Sequence, residues 1–537
     1  MNNSRNRITR RRRKRLSEEK NEITLEPKEL NQCLEENLEE IRGKFGNSSD
    51  LIVRVFKMGK PMLHRAASIY IDGLADKKMT GSFIMERLMS EIPLMENEEA
   101  LSPEQMGNFM KESLLPITKV EEIKNLNELF LLLLAGQTIV LVDGWNHALG
   151  CALEDREVRS ITEPTSEVSI RGPKDSFTES LLTNTAMVRA RIKSPSLWLE
   201  TMKIGSITQT EVAIMYIKGI ASEKLLREVK DRLNKIDVAE VLGSNTIEEW
   251  ITDDFWTPLP TILVTERPDV VSGNLLEGRV TIFVDGTPVP LILPATFIQF
   301  FQSAEDYYLT WSIASFLRII RVLSFFITLF GSSLFIAFVS FHPELIPTPL
   351  LINLASQREG IPFPVIIEAL LMEFTFEILR EAGLRMPRQV GQAVSIVGAL
   401  VIGEAAVMAG IVSSAMVIIV AATAIASFTI PHYSMTDATR LMRFGMMILA
   451  SLFGLYGVGL GAIALLAHTV SLRSFGIPYL TPMAPFNLSD QQDVIFRLPK
   501  KFLTKRPHLI SQINVTRSGL TQNSGKTIAK SKGNNNE

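Results

Sequence analysis

The run VLSFFITLFGSSLFIAFVSF (322–341) carries no charged residue over twenty positions. As a helix rising about 1.5 Å per residue it spans about 30 Å, the hydrocarbon thickness of a bilayer. Three runs of the same character follow: QVGQAVSIVGALVIGEAAVMAGIV (389–412), SSAMVIIVAATAIASFTI (413–430) and FGMMILASLFGLYGVGLGAIALLAHTV (444–470). A water-soluble core rarely accommodates four such runs in succession, so residues 306–486 are expected to form an all-α membrane domain with four transmembrane helices. Arg318 and Arg321 precede the first run and a basic tail, residues 487–537, follows the last. The positive-inside rule then places both termini in the cytoplasm. Arg440 and Arg443, between the third and fourth runs, fall on the outer side in this topology.

The formal net charge of -2 averages segments of different kinds. Residues 1–15 hold eight basic side chains and no acid, whereas no lysine occurs between Lys235 and Lys500. Residues 1–40 are expected to be a solvated basic arm, either a flexible tail or a segment drawn to anionic headgroups. No aromatic residue interleaves its arginines, which disfavours base stacking, and no nucleic-acid partner is expected. No apolar stretch follows the basic run, so no cleaved secretory signal is expected. Cys33 and Cys151 are too few for a disulfide framework and match no metal spacing.

Ahead of the membrane domain, strand and helix patterns alternate. SIYIDGLADK (68–77) leads into the helical pattern SFIMERLMSEI, and IVLVDGWNHAL (139–149) is a strand entering an Asp-Gly turn. The same order recurs: VAIMYIKGIAS (212–222) precedes EKLLREVKDRLNKI, and VTIFVDGTPVPLIL (280–293) supplies a second Asp-Gly hairpin, the strand-to-hairpin offset being about seventy residues in both cases. Two α/β subdomains of similar plan are expected, residues 41–155 and 183–305, joined by the charged, Pro- and Gly-containing linker 156–182.

IEALLMEFTFEIL (367–379) is apolar apart from Glu368, Glu373 and Glu377. Counted as a full crossing it would make five and export the basic tail, so it is expected to be an embedded or interfacial helix bounded by IPFP (361–364) and Pro387. On a helix Glu373, Glu377 and Glu381 share one stripe, which Arg380 and Arg385 can reach, and Glu368 lies nearly opposite. Two readings are open. Either the helix lies at headgroup level with its charges paired or hydrated, or the acids face a water-filled passage that favours cations. Glu404, within LVIGEAAVMAG, poses the same choice between a structural hydrogen bond and a wet face. Gly457 and Gly461 have the spacing that lets helix backbones approach closely.

No catalytic constellation is evident. SGLTQNSGKT (518–527) has one residue too many between its glycines for a phosphate-binding loop, and the six histidines form no close pair at metal-ligand spacing. The expectation is no enzyme, no metal and no cofactor.

Four runs in collinear order carry a family resemblance: EPTSEVSIRGPKDSFTESLLTNTAMVRARIKSPSL (163–197), LLEGRVTIFVDGTPVPLILPATFIQFFQSAEDYY (275–308), residues 341–407 beginning FHPELIPTPLLINLASQREGIPFPVIIEALLMEF, and LRSFGIPYLTPMAPF (472–486). Together they resemble the A subunits of spore germination receptors, the GerA-type family of endospore-forming bacteria. The likeness covers about residues 45–490. Glu404 departs from the family pattern, which has an uncharged amide there. The resemblance implies a subunit of an inner-membrane complex of the dormant spore, assembled with a transporter-like, germinant-binding B subunit and a lipoprotein C subunit. It further implies self-association into a pore that releases monovalent cations, or, for one relative in the family, action with the later ion-release machinery. On that implication Val365, Glu368, Met372, Glu373, Glu377 and Glu404 are the pore-lining or gating candidates, Val365 as an apolar constriction. A non-conducting signalling scaffold is the competing class. A solute transporter would more often show an internal membrane repeat, and residues 320–470 show none.

Overall fold

The computed structural model describes residues 28–58, 64–85, 88–89, 105, 110–111, 119–153, 164, 167, 171–386, 403–511 and 516–517. The arginine run of the arm, residues 389–402 of the second apolar run and the loop-like SGLTQNSGKT sequence lie outside the described residues. The chain forms two compact units.

The first unit is built on a sheet of β1 (Leu51–Met58), β2 (His64–Ile71), β3 (Val120–Ile123), β4 (Thr138–Val142) and β5 (Ala148–Cys151), in the order β1-β2-β4-β5-β3. Every pairing is antiparallel. Because side chains alternate along a strand, Ile139 and Leu141 face one side and Val140 and Val142 the other. The first face is covered by α1 (Leu34–Phe45) and α2 (Leu126–Ala135), whose Leu34, Leu38, Ile41, Leu129 and Leu133 pack on Ile69 and Ile139. Ile84, Leu88, Met110 and Trp145 cover the second face. The expected Asp-Gly turn stands between β4 and β5, with Gly144 at φ 84° where a side chain would be strained. Of the helix expected in SFIMERLMSEI, the described part comprises a π-helical turn, Thr80–Met85, and the α-helical residues 88–89.

α3 (Leu181–Arg191) is tied to the start of β1 by a buried ion pair. Arg189 Nε donates to Asp50 Oδ2 at 2.6 Å and Nη2 donates to Oδ1 at 3.0 Å and to Ser48 Oγ at 3.1 Å.

A second sheet contains β6 (Leu197–Ile204), β7 (Thr210–Ile217), β8 (Leu263–Val264), β9 (Val280–Val284) and β10 (Leu291–Leu293), ordered β6-β7-β9-β10-β8. This is the first sheet's order with each strand number raised by five. β2 and β7 bury the same last six positions, and β4 and β9 are buried throughout. Gly286, at φ 84°, turns the second Asp-Gly hairpin as Gly144 turns the first. The expected repetition of plan is therefore present. α4 (Glu223–Asn234) follows β7 as expected, and α5 (Ser244–Ile251) and α6 (Pro268–Leu276) complete the layer.

Within the second unit the stretch from Trp311 to Ser471 carries five helices: α7 (Trp311–Phe341), α8 (Thr348–Arg358), α9 (Val365–Arg385), α10 (Ser414–Ser427) and α11 (Tyr433–Ser471). Four differences from expectation matter. Among the described residues only α7 and α11 are long and apolar enough to cross a membrane. The 413–430 run forms the 14-residue α10, too short at about 1.5 Å per residue to cross alone. The segment expected as one last span is broken at Gly454, whose φ 59° and ψ -140° are not helical. A Cβ built at Gly461 would lie 2.5 Å from Met446 Sδ, and one at Gly457 2.2 Å from the Leu449 carbonyl oxygen. Residues 446 and 461 would be about 22 Å apart in a continuous helix, so α11 doubles back into two antiparallel halves.

The third difference concerns Arg318 and Arg321, which are not free juxtamembrane cations. Arg318 is 1% exposed and pairs with Asp306 at 2.8 Å and Asp493 at 2.9 Å, while Arg321 meets Asp306 at 2.9 Å. Lastly, the C-terminal segment is not a loose tail throughout: Val494, Arg497, Ile510 and Ser511 are buried. A chain segment whose Asp493 pairs with the buried Arg318 of α7 is held where it can do so.

Candidate functional site

The carboxylates of α9 are the site's core. Pro364 stands at its N-cap, a place where a missing N–H costs nothing, and the helix runs 21 residues to Arg385. Val365 at its first turn and Met372 are buried. Glu368 is 1% exposed and closes the start of α10: its Oε2 accepts the Ser413 N–H at 3.0 Å and its Oε1 accepts Arg358 Nε at 3.2 Å. Ser413 is the N-cap of α10, so a carboxylate meets one of the orphan N–H groups and the positive end of the helix dipole.

Glu373, fully buried, accepts the Ser332 hydroxyl of α7 at 2.8 Å. Arg443 Nη2 of α11 stands 2.7 Å from its other oxygen, an ion pair by distance although off the direction of a hydrogen bond. Glu377, one turn on, is half-buried, takes Arg440 through both nitrogens of its fork and lies 3.5 Å from Arg443. Next along, Arg380 reaches Asp437 at 3.2 Å, and Arg440 holds the same Asp437 at 2.7 Å. Arg443 Nη1 also donates to Thr423 of α10 at 3.3 Å.

The result is a ladder of Glu373, Glu377 and Arg380 on α9 facing Arg443, Arg440 and Asp437 on α11, three cations against three anions. Residue numbers rise on one helix as they fall on the other, so α9 and the first half of α11 run antiparallel. Each partner set is spaced three or four residues apart, one helical face each. Charges at such depth require compensation, and here the compensation is internal to the chain.

The expected partners differ in part. Arg385 does reach Glu381, at 2.6 Å on the surface. Arg380 turns away from Glu377 toward Asp437. Arg440 and Arg443, out of place as loop charges, belong inside α11 as the counter-ions of α9. Their signal in the sequence was the i, i+3, i+6 series Asp437, Arg440, Arg443 at the mouth of an apolar run. Glu404 is exposed and stands apart from the ladder. Gly457 and Gly461 stand where the two halves of α11 come together.

The sequence profile of a family described as Bacillus/Clostridium GerA spore germination protein matches residues 39–509. The chain belongs to this family. Among its relatives, spore germination protein KA of Bacillus subtilis (strain 168) is 49% identical over 92% of this chain and 89% of its own length. Spore germination protein A1 of the same organism is 39% identical over 93% of this chain and 100% of its own length. Spore germination protein GerLA of Bacillus cereus is 38% identical over 90% and 96%. Among solved structures, the N-terminal domain of the A subunit of the Bacillus megaterium spore germinant receptor GerK3 is similar at 42% identity. That match covers 51% of this chain and 99% of that domain, with a TM-score of 0.41. The α9 ladder, residues 373–443, falls within the stretch matched to the GerA family.

Proposed function

We propose that the chain is the A-type subunit of a nutrient germinant receptor in the inner membrane of the dormant spore. Copies of it assemble, together with a transporter-like B subunit and a lipoprotein C subunit, into a channel that releases monovalent cations when germinant binds. Family membership supports the process, and the α9 ladder is the observation that carries the conducting role. Four acidic side chains, Glu368, Glu373, Glu377 and Asp437, are placed among apolar helices that could have used leucine. Purely structural helix packing does not call for them.

In this reading the ladder is the closed state. Arginines occupy the acids, and opening exchanges the guanidinium groups for cations in transit, with Val365 and Met372 supplying apolar constriction. Both termini lie on the cytoplasmic side in this reading.

The complete pairing of the acids within one chain favours a second reading, a non-conducting scaffold that relays binding through α11. The two part on one experiment: cation release from spores carrying Glu373→Gln with Glu377→Gln, after nutrient addition, with complex assembly checked by co-purification. A channel predicts altered release from assembled complexes. Unchanged release would favour the scaffold and remove the conducting role.

A further inference from the structure

α5 ends at Ile251, and the turn that follows presents Phe255 and Trp256 to the outside, 75% and 85% exposed. Their rings lean together with centroids 5.4 Å apart, so they form one apolar knob. Adjacent large aromatics left this open on a surface mark a place of contact.

The turn is fastened to the end of α11, within the same unit. Thr257 Oγ1, next to Trp256, shares a 2.8 Å hydrogen bond with His468 Nε2 in the last turn of that helix. Asp253 accepts the Phe475 N–H at 2.6 Å and Arg232 Nη2 at 2.5 Å, and the Arg232 guanidinium lies 4.4 Å from the Phe475 ring centroid. Asp254 accepts the Trp256 N–H at 3.0 Å. Both acids of the turn are thus engaged within the protein, and the aromatic pair faces outward.

The helix end to which the turn is tied is where a bilayer boundary falls. Beyond the break at Gly454, Tyr456, Leu460, Ile463, Leu466 and Val470 are all exposed. They follow one another three or four residues apart, so they form a single stripe along the second half of α11. A stripe of that composition suits lipid rather than water. At about 1.5 Å per residue, His468 lies about 21 Å and Ser471 about 26 Å from the break, against about 30 Å of hydrocarbon. With the break at one face of the hydrocarbon, the stripe runs out at the other, beside Thr257. Arg473, exposed just past the helix end, is a cation at the depth where headgroups begin.

We propose that Phe255 and Trp256 insert into the headgroup region of the bilayer and give the α/β part of the second unit a peripheral membrane attachment of its own. An indole suits this depth, because its body is apolar and its N–H can donate to a lipid phosphate or ester oxygen. The attachment rests on the reading of α11 as a membrane helix and adds to it a contact made outside any membrane-spanning segment. It holds the layer that carries α5 against the membrane surface, with the Thr257–His468 bond linking that contact to α11.

The test is tryptophan fluorescence of the full chain in nanodiscs of phosphatidylcholine and phosphatidylglycerol. Lipid brominated near the headgroup or near the chain end is the membrane-side quencher, and acrylamide is the water-side one. The chain has five tryptophans, so Trp256 is read as the difference between the parent and Trp256→Tyr. That difference signal is expected to lose more intensity to the shallow bromine than to the deep one, and to be protected from acrylamide. Ile463→Trp, in the middle of the stripe, reports on α11 separately and should lose more to the deep bromine. Trp256 quenched by acrylamide and by neither bromine, with Ile463→Trp quenched in lipid, would overturn the attachment and leave the membrane helix standing. Trp256 protected from all three quenchers would be covered by protein, which overturns the attachment equally. An Ile463→Trp signal quenched by acrylamide alone would remove the membrane reading of α11 and the attachment with it.

Discussion

Replacing Arg443 probes the ladder at its most constrained member. The side chain is 1% exposed and touches Glu373, Glu377 and Thr423, so it joins α9, α10 and α11. In Arg443→Met, Glu377 keeps Arg440, but Glu373 keeps only the Ser332 hydroxyl. A fully buried carboxylate stripped of its cation costs about 3–5 kcal/mol, a large share of a typical total stability of about 5–15 kcal/mol. Removing both partners together is a different perturbation, because no charge is left behind. Glu373→Met with Arg443→Met should recover most of the loss, giving a coupling of about 2 kcal/mol or more in a double-mutant cycle. The assay is SDS-induced unfolding of the detergent-solubilised full chain followed by circular dichroism. An Arg443→Met curve overlying the parent, or a double variant no more stable than the single one, would refute the electrostatic account of the ladder.

Three further perturbations follow from the same structure. Glu368→Ala strands the Ser413 N–H and Arg358, and should lower stability by about 1–3 kcal/mol in the same unfolding assay, whereas Glu368→Gln should lose less. Gly454→Ala forces a Cβ to 2.8 Å from Phe341 Cβ in a backbone region that favours glycine, and should cost at least about 1–3 kcal/mol, read as a lower unfolding midpoint. Burial pushes Glu167 up to about 7, with Thr265 and Arg267 opposing. A raised carboxyl stabilises the fold below its ordinary range near 4.5 and loses that contribution as pH climbs to about 7, by about 3 kcal/mol. Burial holds His432 down at about 4, so its contribution has the opposite sign and is lost as pH falls from about 6.5 toward 4. The two contributions oppose each other between about 4.5 and 6.5, so Glu167→Gln should uncover the His432 contribution as stability that rises more steeply with pH over that window than in the parent; an unaltered profile would contradict the buried-carboxyl account.

What the sequence disclosed followed the range of the interactions involved. Both Asp-Gly hairpins were legible because a turn needing positive φ names its own residues, and the strand-to-hairpin offset of about seventy residues, shared by both halves, betrayed the doubled plan. The three acids of α9 were equally visible. Their partners were not, because Glu373 and Arg443 are joined only by folding, and charge patterns expose only neighbours three or four residues apart. The same ignorance made Arg440 and Arg443 look like loop charges and Arg318 and Arg321 look like free juxtamembrane cations. GLYGVGLGA suggested close packing, but nothing in it distinguishes glycines that meet another helix from a glycine that reverses its own. The segment 493–511 looked like a tail because its value lies in Asp493, whose arginine is 175 residues away.

The central claim is that the acids of α9 serve ion passage, held shut by the arginines of α11. Cation flux from vesicles containing the purified complex, with and without candidate nutrients, tests it most directly. The account predicts nutrient-dependent flux with the parent chain, and flux with changed rate or ion preference when Glu373 and Glu377 are both replaced by Gln in complexes that still assemble. Intact complexes that pass no cations under any nutrient, or that pass them identically with and without these two carboxylates, would contradict it.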